Sequence, residues 1–301
     1  MAAIELKQQI KDAIESFSDG ELRDRALNLF DTLGYNTIRQ NQLDKKTYAE
    51  FKELYVKEIF NEDKALVKEW KYVDILFQLS KDEITGELGL FDTKKVDNVI
   101  IESYLFFTIA LSGESYTRTQ FGNISREMNR LFPMPVMILF KYNGQITLSI
   151  INRRINKKDG SRDVLEKVTL IKDVNISSPH RAHVEIFHDL AFTELQKDHK
   201  ITNFVELQNA WQKTLDTKEL NKRFYQELSN WYFWAMDFAS FPDDVEKNKD
   251  IRNATNLIRL ITRIIFIWFI KEKGFVPEKI FNKNEVGKIV KDFVKNDKSH
   301  N

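Results

Sequence analysis

Apolar residues recur at helical spacing from the start of the chain. Ile4, Ile10, Ile14 and Phe17 form one stripe, Ser18-Asp19-Gly20 interrupts it, and Leu22, Ala26, Leu29, Phe30 and Leu33 resume it. This predicts two helices across 4–34, the second stopped by Gly34 just past its last apolar position. Thr47 with Glu50 three residues on has the spacing of a capping box, and the helix it would open carries Tyr48, Phe51, Leu54, Tyr55 and Ile59. Tyr72 to Leu79 is β-branched and aromatic enough for a buried strand. Residues 82–97 contain Gly86 and Gly89 and read as a loop. The run from Val99 to Leu111 is too apolar for an edge and suits a central strand.

From Thr117 the period turns helical again. Phe121, Ile124, Met128 and Leu131 share one face, Arg118, Arg126 and Arg130 lie off it, and Pro133 and Pro135 close the segment. Two strand-like runs, Val136 to Tyr142 and Gln145 to Ile151, flank Asn143-Gly144. That dipeptide supplies the two positive-φ positions of a type I′ hairpin turn. Val164 to Val174 reads as a further strand, and Ser178-Pro179 as a helix start with proline at its first position. Beyond Thr202 the pattern is helical and aromatic (Trp211, Phe224, Tyr225, Trp231-Tyr232-Phe233-Trp234, Phe238). A polar break at 242–250 then precedes an apolar helix from Arg252 to about Lys273.

The fold class expected is α+β: a mixed sheet flanked by helices, of restriction-endonuclease-like order, followed by an all-α connector. The domains expected are a helical N-terminal segment (1–60), an α/β core (61–197) and a helical connector (198–301). The 301 residues include no cysteine, so disulfides and thiolate metal sites are excluded. The N-terminus does not read as a secretory signal. The most apolar stretch, Leu257 to Ile270, reads as short for a membrane span and carries Arg259 and Arg263. A soluble, cytoplasmic protein is the expectation. The net charge of +1 says little, but from Ser115 to Lys172 eleven Lys/Arg stand against four Asp/Glu, an excess that suits an anionic partner.

Strand, helix, strand, strand with an acid ahead of the first strand is the order of many nuclease cores. Such sites of the PD-(D/E)xK type hold a divalent cation, here Mg2+, between an aspartate and a Glu-x-Lys. Asp97 occupies the aspartate position and is the candidate metal ligand. The Glu-x-Lys position reads Ala110-Leu111-Ser112, which supplies neither carboxylate nor cation. Glu102, near the strand start, and Glu114, past its end, are the substitute acids; Asp97 and Glu102 are the catalytic candidates. A degenerate site, an intact one and an unrelated α+β domain are the three readings. Glu69-Trp70-Lys71 has the right spacing but reads as a solvated strand edge. The DNA-binding candidates are Arg118, Arg126, Arg130, Arg153, Arg154, Lys157, Lys158, Arg162 and Lys167, because phosphate backbones call for several Lys/Arg on one face. His180, His183 and His188 lack the usual ligand spacing and read as half-buried packing. The aromatic run 231–234 faces all round a helix and reads as core or interdomain packing.

Several long phrases carry a resemblance: Phe132 to Phe140, Leu165 to Asp173, Pro179 to His183, Leu220 to Trp234, and Leu257 to Arg263. In them the chain resembles the N-terminal region of type IIG restriction–modification proteins, the restriction enzyme/adenine methylase family. The resemblance implies a nuclease-type domain joined through a helical connector to a DNA adenine methylase that uses S-adenosylmethionine. The cofactor would belong to that downstream methylase, whose motifs this chain lacks. Double-stranded DNA and the methylase and specificity domains of the same or a companion protein are the partners it implies. The alternative is a non-catalytic interaction module that docks a partner through its aromatic helices.

Overall fold

The computed structural model describes residues 2–86, 95–97, 102–155, 163–243, 246–272, 275–281 and 286–288. The chain forms two compact units, 1–220 and 221–301. The first is α+β, built on a five-stranded sheet of order β1-β2-β3-β4-β5: Trp70–Ser80, Ser103–Leu111, Val136–Tyr142, Gln145–Ile155 and Asp163–Asn175. All neighbours are antiparallel except β2 and β3, which run parallel. A parallel pair needs a crossover, and helix α5 (Arg118–Arg130) supplies it.

The near-unbroken apolar runs of β2 and β3 have a simple cause: both faces of the sheet are covered. In β2, Tyr104 and Phe106 join one core while Leu105, Phe107, Ile109 and Leu111 join the other, as the two-residue period of a strand requires. The first core is roofed by α1 (Ala2–Glu15), α2 (Leu22–Thr32), α6 (Arg181–Asp189), α7 (Phe192–Asp198) and α8 (Phe204–Thr214). The second is covered by α5 and α3 (Tyr48–Tyr55). Phe77 and Phe106 stack at 4.1 Å, and Phe30 meets both edge-on. Such contacts add about 0.5–1.5 kcal/mol per pair beyond burial. Tyr35 ties the roof together: its hydroxyl donates to the Leu190 carbonyl (2.6 Å) and accepts from the Trp211 indole (2.8 Å).

Leu207, Ala210 and Trp211 of α8 sit in the first core, so a boundary near 197 falls inside the first unit. Residues 1–60 likewise pack on the sheet instead of standing apart: Phe30 and Leu33 join one core, Phe51 the other.

Local signals in the sequence have clear counterparts. Gly34 takes a positive φ, and the amides of Gly34 and Tyr35 bond back to Asp31 and Phe30 as α2 ends. Asn143 (φ 38°) and Gly144 (φ 69°) form the turn joining β3 to β4, a backbone that glycine adopts without steric cost. Two details differ. Thr47 caps α3, but the Glu50 carboxylate turns to the amides of Asp44, Lys45 and Lys46, bracing the preceding loop. Pro179 is not the first helical residue: His180 is the cap of α6, its Nδ1 accepting from the Ala182 amide, so the helix starts two residues later.

Two buried ion pairs stand inside the first unit. Arg23 meets Asp74 at 3.1 Å and donates to the Ile75 and Leu76 carbonyls; Asp74 also accepts from the Leu43 amide. Burial pushes the Asp74 carboxyl above its ordinary range, outweighing the Leu43 amide and Arg23. Arg39 and Glu83 form a second buried pair, and Glu83 reaches back to the Ser80 amide as the capping partner of α4 (Lys81–Thr85).

The second unit holds most of α9 (Thr217–Phe238) and all of α10 (Lys249–Glu272). Asn253 donates to the Ala239 carbonyl at 2.9 Å, while Ala235 and Leu257 are buried. Much of the remaining apolar surface of the two helices is exposed, including Phe224, Tyr225, Phe233, Trp234, Phe238, Ile258, Phe266 and Phe269. The expected packing of the 231–234 aromatics is therefore only partial: Tyr232 is half-buried and its neighbours Phe233 and Trp234 lie in the open. The helical stretch Lys249–Lys271 is, by length and composition alone, long and apolar enough for a membrane span, although it carries Arg259 and Arg263.

Candidate functional site

The carboxyl ends of the parallel strands β2 and β3 lie beside the start of β1. Sheet ends of this kind, where a crossover helix departs, are the usual place for ligands. The register pairs Trp70 with Leu111 and Tyr72 with Ala110, leaving Lys71 as the extra residue of a bulge. The Ser112 amide donates to the Glu69 carbonyl at 2.9 Å. Glu69-Trp70-Lys71 and Ala110-Leu111-Ser112, far apart in sequence, are thus neighbours at one end of the sheet.

Glu69 is committed locally. Its carboxylate accepts from the Tyr116 hydroxyl at 2.5 Å, and that oxygen accepts from the Gly113 amide at 2.6 Å. Burial and the bond to Glu69 push the Tyr116 phenol up to about 12. A Cβ at position 113 would lie 2.6 Å from the Tyr116 hydroxyl, so only glycine allows the approach.

Above this end is a cavity of about 330 Å3 lined by Gly20, Glu21, Leu22, Lys71, Tyr72, Ala110, Leu111, Lys141, Tyr142 and Asn143. Lys141 is half-buried, and its ammonium donates to the Phe17 carbonyl at 2.7 Å, beneath the turn between α1 and α2. Lys71 is exposed at the bulge. Glu21 pairs with Lys46 at 3.4 Å, and that ammonium lies 5.9 Å from the centre of the Tyr72 ring. Sequence reasoning missed this group. The legible signal was Lys141, a lone cation in the apolar run of an interior strand.

The sequence-predicted acids lie elsewhere. Gln78 donates to the Asp97 carbonyl (2.8 Å) and to Ser103 Oγ (2.9 Å), and accepts from the Asp97 amide (2.7 Å). Asp97 and Glu102 therefore belong to the amino end of β2, while Ala110 to Ser112 are at its carboxyl end. At about 3.3 Å per residue those ends are roughly 25 Å apart. Glu114 is near the cavity end, its carbonyl accepting from the Asn143 amide group at 3.2 Å. Among the described residues no three His, Cys, Asp or Glu converge as a metal site.

Of the basic candidates, Arg118, Arg126 and Arg130 lie on α5, which covers one side of the sheet. Phe121, Ile124 and Met128 of α5 are buried, and Arg118, Arg126 and Arg130 are exposed. At about 100° per residue the three arginines span an arc of roughly 120°. Arg130 shares its charge with Glu127 at 2.7 Å. Lys167 is exposed on β5, opposite Asn152 of β4; Arg153 and Arg154 lie in β4, paired with Leu165 and Val164. Lys157, Lys158 and Arg162 lie outside the described residues. His180 and His183 have ring centres 6.3 Å apart, and His188 is buried beside Asp189.

Comparison with protein families, with curated proteins and with solved structures found no match to this chain.

Proposed function

We propose that this chain is the DNA-contacting, nuclease-like part of a cytoplasmic restriction–modification protein, with a degenerate PD-(D/E)xK site. The observation that carries the reading is the outward face of α5. A helix wedged on the sheet by Phe121, Ile124 and Met128 has one polar face left, and that face holds Arg118, Arg126 and Arg130. Lys167, next to Val168 of the core that α5 covers, falls on the other face of the sheet by the two-residue strand period and does not add to it. Several cations on one face suit a phosphate backbone, whose binding draws on released counterions.

Degeneracy is supported by the sheet end. Ala110 and Ser112 offer no carboxylate or cation, and the Glu69 carboxylate is held by Tyr116. Mg2+ would belong to a surviving nuclease site and S-adenosylmethionine to a methylase outside this chain. Duplex DNA titrated into the purified protein at two salt concentrations, with a magnesium incubation alongside, tests the reading. Binding that weakens steeply with salt and leaves DNA intact is expected, and Arg118→Gln/Arg126→Gln should reduce the affinity. Absence of binding at low salt overturns it; magnesium-dependent cutting overturns the degenerate assignment alone.

A second reading, a module that docks a partner protein, draws on the exposed apolar residues of α9 and α10. It predicts no DNA affinity and a salt-insensitive protein contact.

A further inference from the structure

We propose that the cavity at the carboxyl ends of β2 and β3 is a phosphate pocket, which takes a phosphate group of a DNA strand directly on Lys71 and Lys141. The identity of the polymer rests on the DNA-contacting reading; the affinity for a phosphate ester rests on the cavity itself.

The charge around the cavity favours an anion. Lys71 and Lys141 line it, and Lys46 borders it through Glu21 and Tyr72. Glu21 is the one carboxylate in the lining, and it is paired with Lys46. A single paired carboxylate is a poor donor set for a divalent cation, which takes several oxygen ligands. It is no obstacle to an anion that meets the other lysines.

The lysines are placed, not merely near. Lys141 stands on an interior strand, and its bond to Phe17 fixes the ammonium under the α1–α2 turn, leaving two of its three protons for other acceptors. Lys71 is the extra residue of the bulge in β1; bulges next to sites commonly re-aim one side chain. The first intrahelical bond of α2 runs from the Arg25 amide to the Glu21 carbonyl, so the Leu22 amide ahead of it has no helical carbonyl to meet. Glu21, at the cap position, makes no side-chain capping bond. The positive end of the helix dipole therefore adds to the lysines on the same side of the cavity.

Size and walls fit an ester better than a bare ion. About 330 Å3 is at the lower end of small-molecule sites, large enough for a nucleotide unit. Leu22, Tyr72, Ala110, Leu111 and Tyr142 provide apolar surface for the sugar or base.

The test uses the full chain. Duplex DNA binding is measured by anisotropy across salt concentrations for the wild type, Lys71→Gln/Lys141→Gln and the arginine-restoring Lys71→Arg/Lys141→Arg. Deoxyadenosine monophosphate is titrated separately while the backbone amides of Gly20 to Leu22 are followed by NMR. The expected result is roughly tenfold weaker DNA binding for the glutamine variant, with the salt slope reduced by about one to two, and recovery with arginine. Nucleotide-induced shifts at Gly20 to Leu22 should vanish in the glutamine variant. If the wild type binds DNA, and the glutamine variant keeps its affinity and slope with no nucleotide shifts, the pocket proposal is overturned while DNA contact stands. If DNA does not bind but the lysine-dependent nucleotide shifts occur, the pocket stands as a small phosphate-ester site and the DNA reading falls. Failure of both measurements overturns both.

Discussion

The two compact units use apolar residues in opposite ways. In 1–220 the large side chains are inside: Phe30, Phe51, Phe77, Phe106, Phe107, Phe121 and Trp211 are almost wholly buried. In 221–301 residues of the same kinds stand in the open, with Phe233 67%, Phe238 72% and Phe266 61% exposed. Hydrophobic content is not what separates them. A sheet has two broad faces, and helices from either end of the first unit cover both. Helices α9 and α10 are apolar on more sides than one neighbouring helix is able to cover.

If the first unit depends on paired interior groups, Arg23→Ala should be the most damaging change. It leaves Asp74 buried beside apolar strands without its cation, a loss of about 3–5 kcal/mol. Denaturant unfolding followed in the first unit measures it. The pH dependence sharpens this. Burial already raises the Asp74 carboxyl, so its contribution to folding is full below the ordinary value of 3.8 and fades as pH rises through the shifted one. Without Arg23 the shift grows, and the penalty of Arg23→Ala should be smaller at pH 4 than at pH 7. A penalty independent of pH would show that Asp74 is not the group left stranded.

Next in size is the start of the crossover. Thr117 accepts from the Gln120 amide, and Gln120 returns the bond to Thr117. Thr117→Ala should cost about 1 kcal/mol, and Thr117→Ser should recover most of it. Unfolding of both variants compares them directly.

The smallest effect on stability is expected in the second unit. Phe266→Ser and Phe269→Ser remove exposed side chains, so unfolding should shift by less than about 0.5 kcal/mol. Binding of a hydrophobic dye should fall clearly, because the apolar surface is what the dye reports. A loss of several kcal/mol would mean that these residues are covered in solution, and the contrast between the units would fail.

Much of this fold is legible in the residues. The helical stripe of Ile10, Ile14 and Phe17, the unbroken apolar run of β3 and the Asn143-Gly144 turn are each set by local backbone and burial rules, and each has its expected structure. The site was less legible. Asp97 sits ahead of a strand, as a nuclease acid would, yet Gln78 ties its backbone to the amino end of β2. Its position in the chain gives no account of which end of the sheet it joins.

What the sequence by itself determined is the set of elements, since period, caps and turn residues act within a few positions. Only the tertiary structure decided which chemistry meets. The pairing of β1 with β2 brings Lys71 to Ala110, and the parallel alignment of β2 with β3 brings Ala110 to Lys141. Strand register is a long-range choice, made by the burial of whole faces at once. A slip of one residue would have sent those groups to the other side of the sheet.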